Sequence, residues 1–264
     1  MDPPALDRLP RATAVLLDLD CVLYVEDEPI AGAIEAVAAL RDRGLRLRFV
    51  TNTTSRPRRD ILARLQRLGM PVTERELITP ARLAVEHCLA AGRRRALLLM
   101  RDEVKADLAG LQEVREGSDV VVVGDLGEDF GYGVLNKAFR ELLAGAELVA
   151  LQKNRYWRTP GGLSLDVGPF VAALEYAAAC DAVVVGKPAP AFFATVLTGL
   201  GVRPADAVMV GDDVESDVGG ALRAGLAGVL VRTGKYRPEA VAASGVEPTA
   251  TVDSIADVPA LLGA

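Results

Sequence analysis

Short apolar segments that end in polar residues recur along this chain. Residues 14–18 and 46–50 predict short buried strands of the kind found in parallel sheets. An apolar pattern with helical spacing lies between them and closes before Gly44, a residue type that commonly ends helices. A second helical pattern covers residues 57–68. This half of the pattern therefore predicts a strand–helix–strand unit followed by another helix.

The same alternation returns near the end of the chain. The pattern predicts two helices and three strands there: helices at residues 191–200 and 218–224, and strands at 207–210, 228–231 and 250–252. Repeated strand–helix–strand units of this kind have right-handed connections and form a parallel sheet covered by helices. We therefore predict an α/β fold whose core is a Rossmann-like parallel sheet.

The segment between the two halves has elements of its own. Apolar runs at residues 96–100, 120–123, 147–151 and 182–185 predict further strands. A segment of this length is too large for a loop in a compact domain. We therefore predict a discontinuous core, residues 1–80 and 185–264, with an inserted α/β domain at residues 81–184.

The first predicted strand ends in two acids, Asp18 and Asp20. Side chains two positions apart on a strand point the same way. In open α/β sheets, ligands bind beyond the carboxyl ends of the strands. One carboxylate could attack a substrate and hold a metal while the other exchanges a proton. Taken alone, a pair of acids that simply ends a strand explains the motif equally well.

Three further segments change that balance. The strand at 46–50 ends in Thr51, Gly186-Lys187-Pro188 precedes a predicted helix, and Gly211-Asp212-Asp213 is followed by Asp217. In this order and strand context, the four segments resemble the signature motifs of the haloacid dehalogenase superfamily of phosphohydrolases. The resemblance covers nearly the whole chain.

The resemblance implies a role for each acid. Asp18 would be the nucleophile that forms an aspartyl-phosphate, and Asp20 would protonate the leaving group and then deprotonate water. Mg²⁺ would be the cofactor, held by side-chain oxygens of Asp18 and Asp212 and by the backbone carbonyl of Asp20, since Mg²⁺ prefers oxygen ligands. Asp217 would lie around this site and orient a metal-bound water or Lys187. Asp213 would either join it or only cap the following helix.

The resemblance also implies a phosphate-binding set. Lys187 would offer its positive charge to the phosphoryl group, although a solvated lysine is the simpler interpretation of that motif alone. Thr51 would donate to a phosphoryl oxygen, helped by the backbone amides of Asn52 and Thr53. These three residues could also serve as the start of the next helix.

The inserted segment resembles the C2-type cap of subfamily IIA of the haloacid dehalogenase (HAD) superfamily. Its stretch from residue 152 to 176 is similar to the caps of relatives that act on small phosphorylated compounds, so the resemblance implies phosphomonoesters, pyrophosphate or phosphoramidates as substrates. Lys153 and Arg155 are candidate substrate contacts, and a solvated hairpin explains them equally well. Relatives with this cap often dimerise through it, so we expect a homodimer by analogy.

Composition limits the partners. The formal net charge of −6 and pI near 5.0 argue against a nucleic-acid-binding surface, which needs a basic face. Three cysteines suit a reducing compartment without disulfides. Residues 1–5 lack the features of a signal peptide, and no apolar run reaches the roughly 18 residues of a membrane span. We therefore expect a cytoplasmic protein with no membrane partner.

Two features depart from the family pattern or compete with it. Cys21 stands where relatives usually carry glycine, which implies either an ordinary backbone or a strained turn. Cys88 and Arg94 have the spacing of a cysteine phosphatase loop, but the residues before Cys88 predict a helix, and His87 would then be a cap residue. A metal chelator would stop an aspartate mechanism and spare a thiolate one.

Three alternatives to a phosphatase remain. A dehalogenase would use Asp18 but has no need of Asp20. A phosphotransferase or mutase shares the acid pair, yet usually carries its cap elsewhere. A non-catalytic phosphate-binding or dimerisation module would not need the whole set of site residues.

Overall fold

The computed structural model describes residues 12–159 and 161–263, which form two compact units. The first unit contains residues 12–51, Leu62–Ile78 and 187–263, and the second contains Asn52–Ile61 and the described residues of Thr79–Gly186. Residues 1–11 and 264, which include the outer ends of the predicted core and the segment without signal-peptide features, lie outside the described residues.

The strands are short and the helices are of moderate length. In chain order the strands are β1 (Ala14–Asp18), β2 (Tyr24–Val25), β3 (Glu28–Pro29), β4 (Arg46–Val50), β5 (Leu77–Ile78), β6 (Arg95–Leu99), β7 (Gln112–Glu113), β8 (Val120–Val123), β9 (Glu147–Ala150), β10 (Tyr156–Thr159), β11 (Gly162–Leu165), β12 (Val183–Val184), β13 (Ala207–Gly211), β14 (Ala227–Val231) and β15 (Ala250–Val252). The helices are α1 (Ala33–Asp42), α2 (Arg58–Arg67), α3 (Pro80–Ala90), α4 (Asp102–Lys105), α5 (Tyr132–Leu143), α6 (Val167–Ala178), α7 (Pro190–Leu200), α8 (Gly220–Arg223), α9 (Pro238–Ser244) and α10 (Val258–Leu261).

The first unit is built on a parallel sheet with strand order β15-β14-β13-β1-β4-β5. The chain adds β4 and β5 on one side of β1, and β13, β14 and β15 on the other. The strand order therefore reverses at β1, and such a switch point is where open α/β sheets bind ligands. All five residues of β1, β13 and β14 are buried, which explains their nearly continuous apolar sequences.

One helix of the first unit differs from its predicted bounds. The predicted helix at 218–224 begins earlier, with a π-helical turn at Val214–Gly219 that leads into α8. Asp213 starts this turn, because its Oδ1 accepts hydrogen bonds from the backbone N–H groups of Glu215 and Ser216. The described residues contain no helix long and apolar enough to cross a membrane.

The second unit has its own parallel sheet, with strand order β12-β9-β8-β6-β7, and a separate antiparallel hairpin of β10 and β11. Helices α5 and α6 pack on this sheet around a buried apolar cluster that includes Val121, Leu148 and Val171. Phe130 and Phe170 stack beside it with ring centroids 3.9 Å apart. The predicted α/β class, with parallel sheets in both parts of the chain, is confirmed.

Candidate active site

The register of the core sheet brings three of the sequence motifs to the same edge. Asp18 pairs with Val50, so Thr51 lies one residue beyond it on the neighbouring strand. On the other side Leu17 pairs with Val210, so Gly211 is level with Asp18 and Asp212 follows it. The parallel arrangement makes all three strands end together.

Lys187 joins this edge from a distant part of the sequence. Its Nζ lies 2.5 Å from Oδ1 of Asp18 and 2.7 Å from Oδ1 of Asp217. The lysine is 2% exposed. Burial works against its charged form, but the two carboxylates outweigh this and raise the pKa of Lys187 above its ordinary value. The ammonium is therefore charged at any physiological pH.

Three buried carboxylates cluster beside this ammonium. Oxygens of Asp18, Asp212 and Asp217 lie within 4.8 Å of one another. Burial and the neighbouring Asp18 raise the pKa of Asp212 to about 8. Burial also raises the pKa of Asp217 to about 7, although Lys187 opposes the shift. When all three carboxyl groups are ionised, their negative charge exceeds the charge of Lys187, so their ionisation favours binding of a further cation.

Close backbone approach explains the glycine that precedes Asp212. A Cβ on Gly211 would lie 2.2 Å from Oδ2 of Asp217, so only glycine allows this carboxylate to reach the strand end. Gly220 has a similar role, because a Cβ there would lie 3.0 Å from Cα of Pro188, the residue that follows Lys187. These two positions set how closely the acid and the lysine approach.

The loop after β14 completes the site, and sequence reasoning missed it. The backbone N–H of Lys235 donates to Oδ2 of Asp212 at 2.8 Å, and its Nζ pairs with Oδ2 of Asp213 at 3.0 Å. The hydroxyl of Thr233 donates to the carbonyl of Cys21 at 2.5 Å. The only signal in the sequence is a Thr-Gly-Lys turn after an apolar strand. The loop ties the segments that carry Asp212 and Asp18 together.

The other predicted acids differ in environment. Asp20 is exposed, in contrast to the buried Asp18. Asp213 is held by two backbone N–H groups and by Lys235, and it is not among the clustered acids. Its geometry is that of a helix cap whose second oxygen holds a cation.

Cys21 follows Asp20 with a positive φ of 63°, a region that favours glycine. The turn therefore has a backbone conformation that glycine adopts most easily, at some cost in strain for cysteine. Burial, followed by the charge of Asp212, raises the pKa of the Cys21 thiol to about 11. This shift lowers the thiolate fraction and with it the susceptibility to oxidation.

The predicted phosphate-binding residues fall in both units. Thr51 is buried at the end of β4 in the first unit. Asn52 and Thr53 follow it in the chain but group with the second unit, where they are half-buried. The structure thus brings Thr51 and Lys187 to the acid cluster within one unit.

The cap candidates Lys153 and Arg155 both belong to the second unit. Nζ of Lys153 pairs with Oε2 of Glu175 at 2.6 Å, so its charge already has a partner within that unit. Arg155 is exposed, and its backbone carbonyl accepts from Asp166 at 3.2 Å. Both cations of the second unit are therefore exposed, and Lys153 is paired with Glu175.

The competing cysteine motif has the wrong geometry. Cys88 lies within α3 and is fully buried, and burial raises the pKa of its thiol to about 11. Nε2 of His87 contacts Oε2 of Glu147 at 3.0 Å, and Arg93 pairs with the same oxygen. A protonated thiol inside a helix does not form a phosphate-binding loop.

Two family models match this chain, on either side of residues 113–183. Residues 15–112 match the haloacid dehalogenase-like hydrolase model, and residues 184–258 match the HAD-hydrolase-like model. The chain is 42% identical over 264 residues to the phospholysine phosphohistidine inorganic pyrophosphate phosphatase of Bos taurus, covering 97% of this chain and 96% of that protein. The chain belongs to the haloacid dehalogenase-like hydrolase family.

Solved structures agree with this assignment. A 4-nitrophenylphosphatase from Thermotoga maritima has a TM-score of 0.88 and 27% identity, covering 98% of this chain and 99% of that one. A glycerol phosphate phosphatase from Mycobacterium tuberculosis, solved in complex with magnesium, has a TM-score of 0.81 and 30% identity, covering 96% of this chain and 76% of that one. This member of the family is an enzyme, a phosphoric ester hydrolase, so the alternative of a non-catalytic module is set aside.

Proposed function

We propose that this protein is a Mg²⁺-dependent phosphatase that hydrolyses small phosphorylated substrates through an aspartyl-phosphate on Asp18. The observation that carries the proposal is the position of Lys187, with Nζ 2.5 Å from Asp18 and 2.7 Å from Asp217 beside the carboxylate of Asp212. A nucleophile, a fixed ammonium and a set of metal-ligating oxygens are the parts that phosphoryl transfer needs.

The reaction would proceed in two displacements. An oxygen of Asp18 forms a bond to phosphorus as the bond to the leaving oxygen breaks, and Asp20 gives that oxygen its proton. Water then attacks phosphorus while Asp20 accepts its proton, and the bond to Asp18 breaks to release phosphate. The exposure of Asp20 suits a group that must meet both the leaving group and water.

The donor set fits Mg²⁺, because it offers only oxygen atoms and an excess of negative charge. Asp18, Asp212 and the backbone carbonyl of Asp20 would hold the ion, while Asp217 orients Lys187 and Asp213 holds Lys235. When bound, Mg²⁺ offsets the negative charge of the phosphoryl oxygens. Magnesium in the structure of the M. tuberculosis relative supports this assignment.

The phosphoryl group would be bound by Lys187, the hydroxyl of Thr51 and the backbone amides of Asn52 and Thr53. An ammonium buried with two carboxylates keeps its place when substrate binds, so it can act on charge that develops in the transition state.

Residues 81–184 would act as a cap over a core of residues 1–80 and 185–264. Closure of such a cap keeps stray water from the acyl-phosphate, and Lys153 and Arg155 would contact the substrate. The name of the 42% identical relative supports pyrophosphate and phosphoramidates as substrates beside phosphomonoesters. A homodimer through the cap belongs to the same proposal, and the three free thiols support a cytoplasmic location.

Hydrolysis of p-nitrophenyl phosphate tests the reaction. We expect turnover with Mg²⁺, loss of turnover in EDTA and recovery when Mg²⁺ is returned in excess. A thiol-alkylating reagent should leave turnover unchanged, because the thiols of Cys21 and Cys88 are held protonated. Turnover that survives EDTA and is lost on alkylation would replace the aspartate mechanism with a thiolate one.

A further inference from the structure

A small hairpin follows the two catalytic acids. Strands β2 and β3 pair through a two-residue turn in which Glu26 has a positive φ of 49°. Tyr24 opens this hairpin and is tied back to the acid pair: it forms a bridge with Asp20, and its carbonyl accepts from the backbone N–H of Cys21 at 2.7 Å. The first residue of the hairpin is thus joined directly to the backbone of the Asp20–Cys21 segment.

The side chain of Tyr24 also meets the acid. Its hydroxyl donates a hydrogen bond to the carboxylate of Asp20. Tyr24 is 3% exposed, whereas Asp20 is exposed. A tyrosine hydroxyl is protonated at neutral pH and therefore acts as a hydrogen-bond donor.

Arg64 fixes the tyrosine from the other side. Its guanidinium lies 4.7 Å from the ring centroid of Tyr24, within the range of a cation–π contact. The same guanidinium donates to the carbonyl of Glu26, and its Nε lies 3.2 Å from Oδ1 of Asp27. The Arg64 side chain is 13% exposed. One arginine therefore holds both the ring and the turn of the hairpin.

We propose that Tyr24, held by Arg64, is a positioning residue for Asp20 and directs its carboxyl group toward the leaving oxygen. The proposal rests on the proposed function, since it concerns the proton that Asp20 gives. An exposed carboxyl group next to a turn rotates freely unless a partner holds it. The hydrogen bond from the tyrosine hydroxyl fixes the orientation of the carboxyl group that exchanges the proton.

A tyrosine that merely fills the core with a satisfied hydroxyl would explain the same contacts. The two roles differ in their dependence on the leaving group. Phenolate is far more basic than p-nitrophenolate, so its departure needs a proton much more, although phenyl and p-nitrophenyl phosphates have nearly the same shape. A structural role would affect both substrates equally, whereas a role in positioning the acid would affect phenyl phosphate more.

Tyr24→Phe removes only the hydroxyl. We expect kcat/KM for phenyl phosphate to fall roughly tenfold more than kcat/KM for p-nitrophenyl phosphate, as part of the 10²–10⁴-fold that a positioned acid contributes. Tyr176→Phe makes the same change at a tyrosine that is 92% exposed, and should leave both values unchanged. Equal losses for both substrates with Tyr24→Phe would overturn the proposal.

Two further variants keep the test decisive. Arg64→Met should shift the ratio of the two kcat/KM values in the same direction by a smaller factor, and an unshifted ratio would remove Arg64 from the proposal. In an Asp20→Asn background, Tyr24→Phe should no longer change the ratio, because the group it positions is gone. A persisting effect there would also overturn the proposal. A wild-type protein that hydrolyses neither ester would refute the proposed function instead.

Discussion

The acids in the two units of this chain, each built on a parallel sheet, differ in the partners of their carboxylates. In the second unit, Asp125 follows β8, and its oxygens are taken by Arg101, 3.5 Å away, and by the backbone N–H of Gly127. Asp166, which is half-buried like Asp125, accepts from the backbone N–H of Val167 and from the side chain of Gln152. In the first unit, oxygens of Asp18, Asp212 and Asp217 lie within 4.8 Å of one another, and Asp18 and Asp217 share the ammonium of Lys187.

This difference separates a structural acid from a functional one. Acids that accept hydrogen bonds from neutral donors, or that pair one to one, stabilise the unit that holds them. Buried acids in excess of their cations destabilise the folded, metal-free protein. Such destabilisation is typical of functional sites. Both sheets are parallel and apolar, so the fold alone does not make the site.

Asp18→Asn should produce the largest loss. Without the nucleophile no covalent route remains, and we expect kcat for p-nitrophenyl phosphate to fall by at least about 10⁴-fold. Asp119→Asn is the control in the second unit, since the carboxylate of Asp119 accepts from the backbone N–H groups of Arg94 and Arg95 at the start of β6. Comparable losses in both variants would mean that the comparison between the two sheets is wrong.

Lys187→Met should come next. The variant keeps the length of the side chain but removes the charge that offsets Asp18 and Asp217, so kcat should fall about 10²–10³-fold. Lys153→Met, at the lysine paired with Glu175 in the second unit, tests whether any lysine matters as much. Its effect should fall mainly on KM, because we propose that Lys153 contacts substrate. A kcat loss equal to that of Lys187→Met would contradict the different roles assigned to the two lysines.

Gly211→Ala should damage the site through the backbone. The new Cβ would overlap the carboxylate of Asp217, so we expect a loss of about 1–3 kcal/mol in the free energy of unfolding and a lower kcat. Gly133→Ala, inside α5 with open space around it, should be neutral or stabilising. Denaturant unfolding measures both, and equal effects would contradict the packing argument.

The acid cluster predicts an unusual pH dependence of stability in EDTA. The pKa of Asp212 is raised from 3.8 to about 8, so between these values the folded state holds a proton that the unfolded state has lost. Stability of the metal-free protein should therefore fall as pH rises from about 5 to 8. Asp212→Asn should flatten this trend in Tm, and Mg²⁺ should reverse it. A wild-type Tm that rises with pH in EDTA would refute the prediction.

Cys21→Gly should have the smallest effect. The residue has a φ of 63°, which costs a side-chain-bearing residue about 1–2 kcal/mol and glycine very little. Because glycine also gains entropy in the unfolded chain, we expect a net stabilisation of about 1 kcal/mol or less. A clear drop in Tm would show that the thiol packs usefully beside Gly234.

Strands and motif residues can be predicted from the sequence because both are local signals. The apolar runs at residues 14–18 and 46–50 predict strands, and these are β1 and β4. The order of the motifs led us to expect Lys187 near Asp18, although they lie 169 positions apart. The parallel register then follows from the alternation of strand and helix.

The remaining features depend on contacts that no local pattern encodes. The Lys235 loop acts on Asp212 through a backbone N–H, which any residue except proline could supply. Tyr24 and Arg64 meet through a cation–π contact across 40 positions of unrelated sequence. Likewise, pairing of Lys153 with Glu175 depends on how the second unit folds.

Chemical trapping of the enzyme during turnover tests the central claim most directly. The protein is mixed with p-nitrophenyl phosphate and Mg²⁺, quenched in acid, reduced with borohydride and digested for mass spectrometry. An acyl-phosphate on Asp18 would be reduced to the alcohol, so we predict homoserine at position 18 and nowhere else. Unmodified Asp18 in protein quenched during rapid turnover, or phosphate found on Cys88 or His87, would contradict the account.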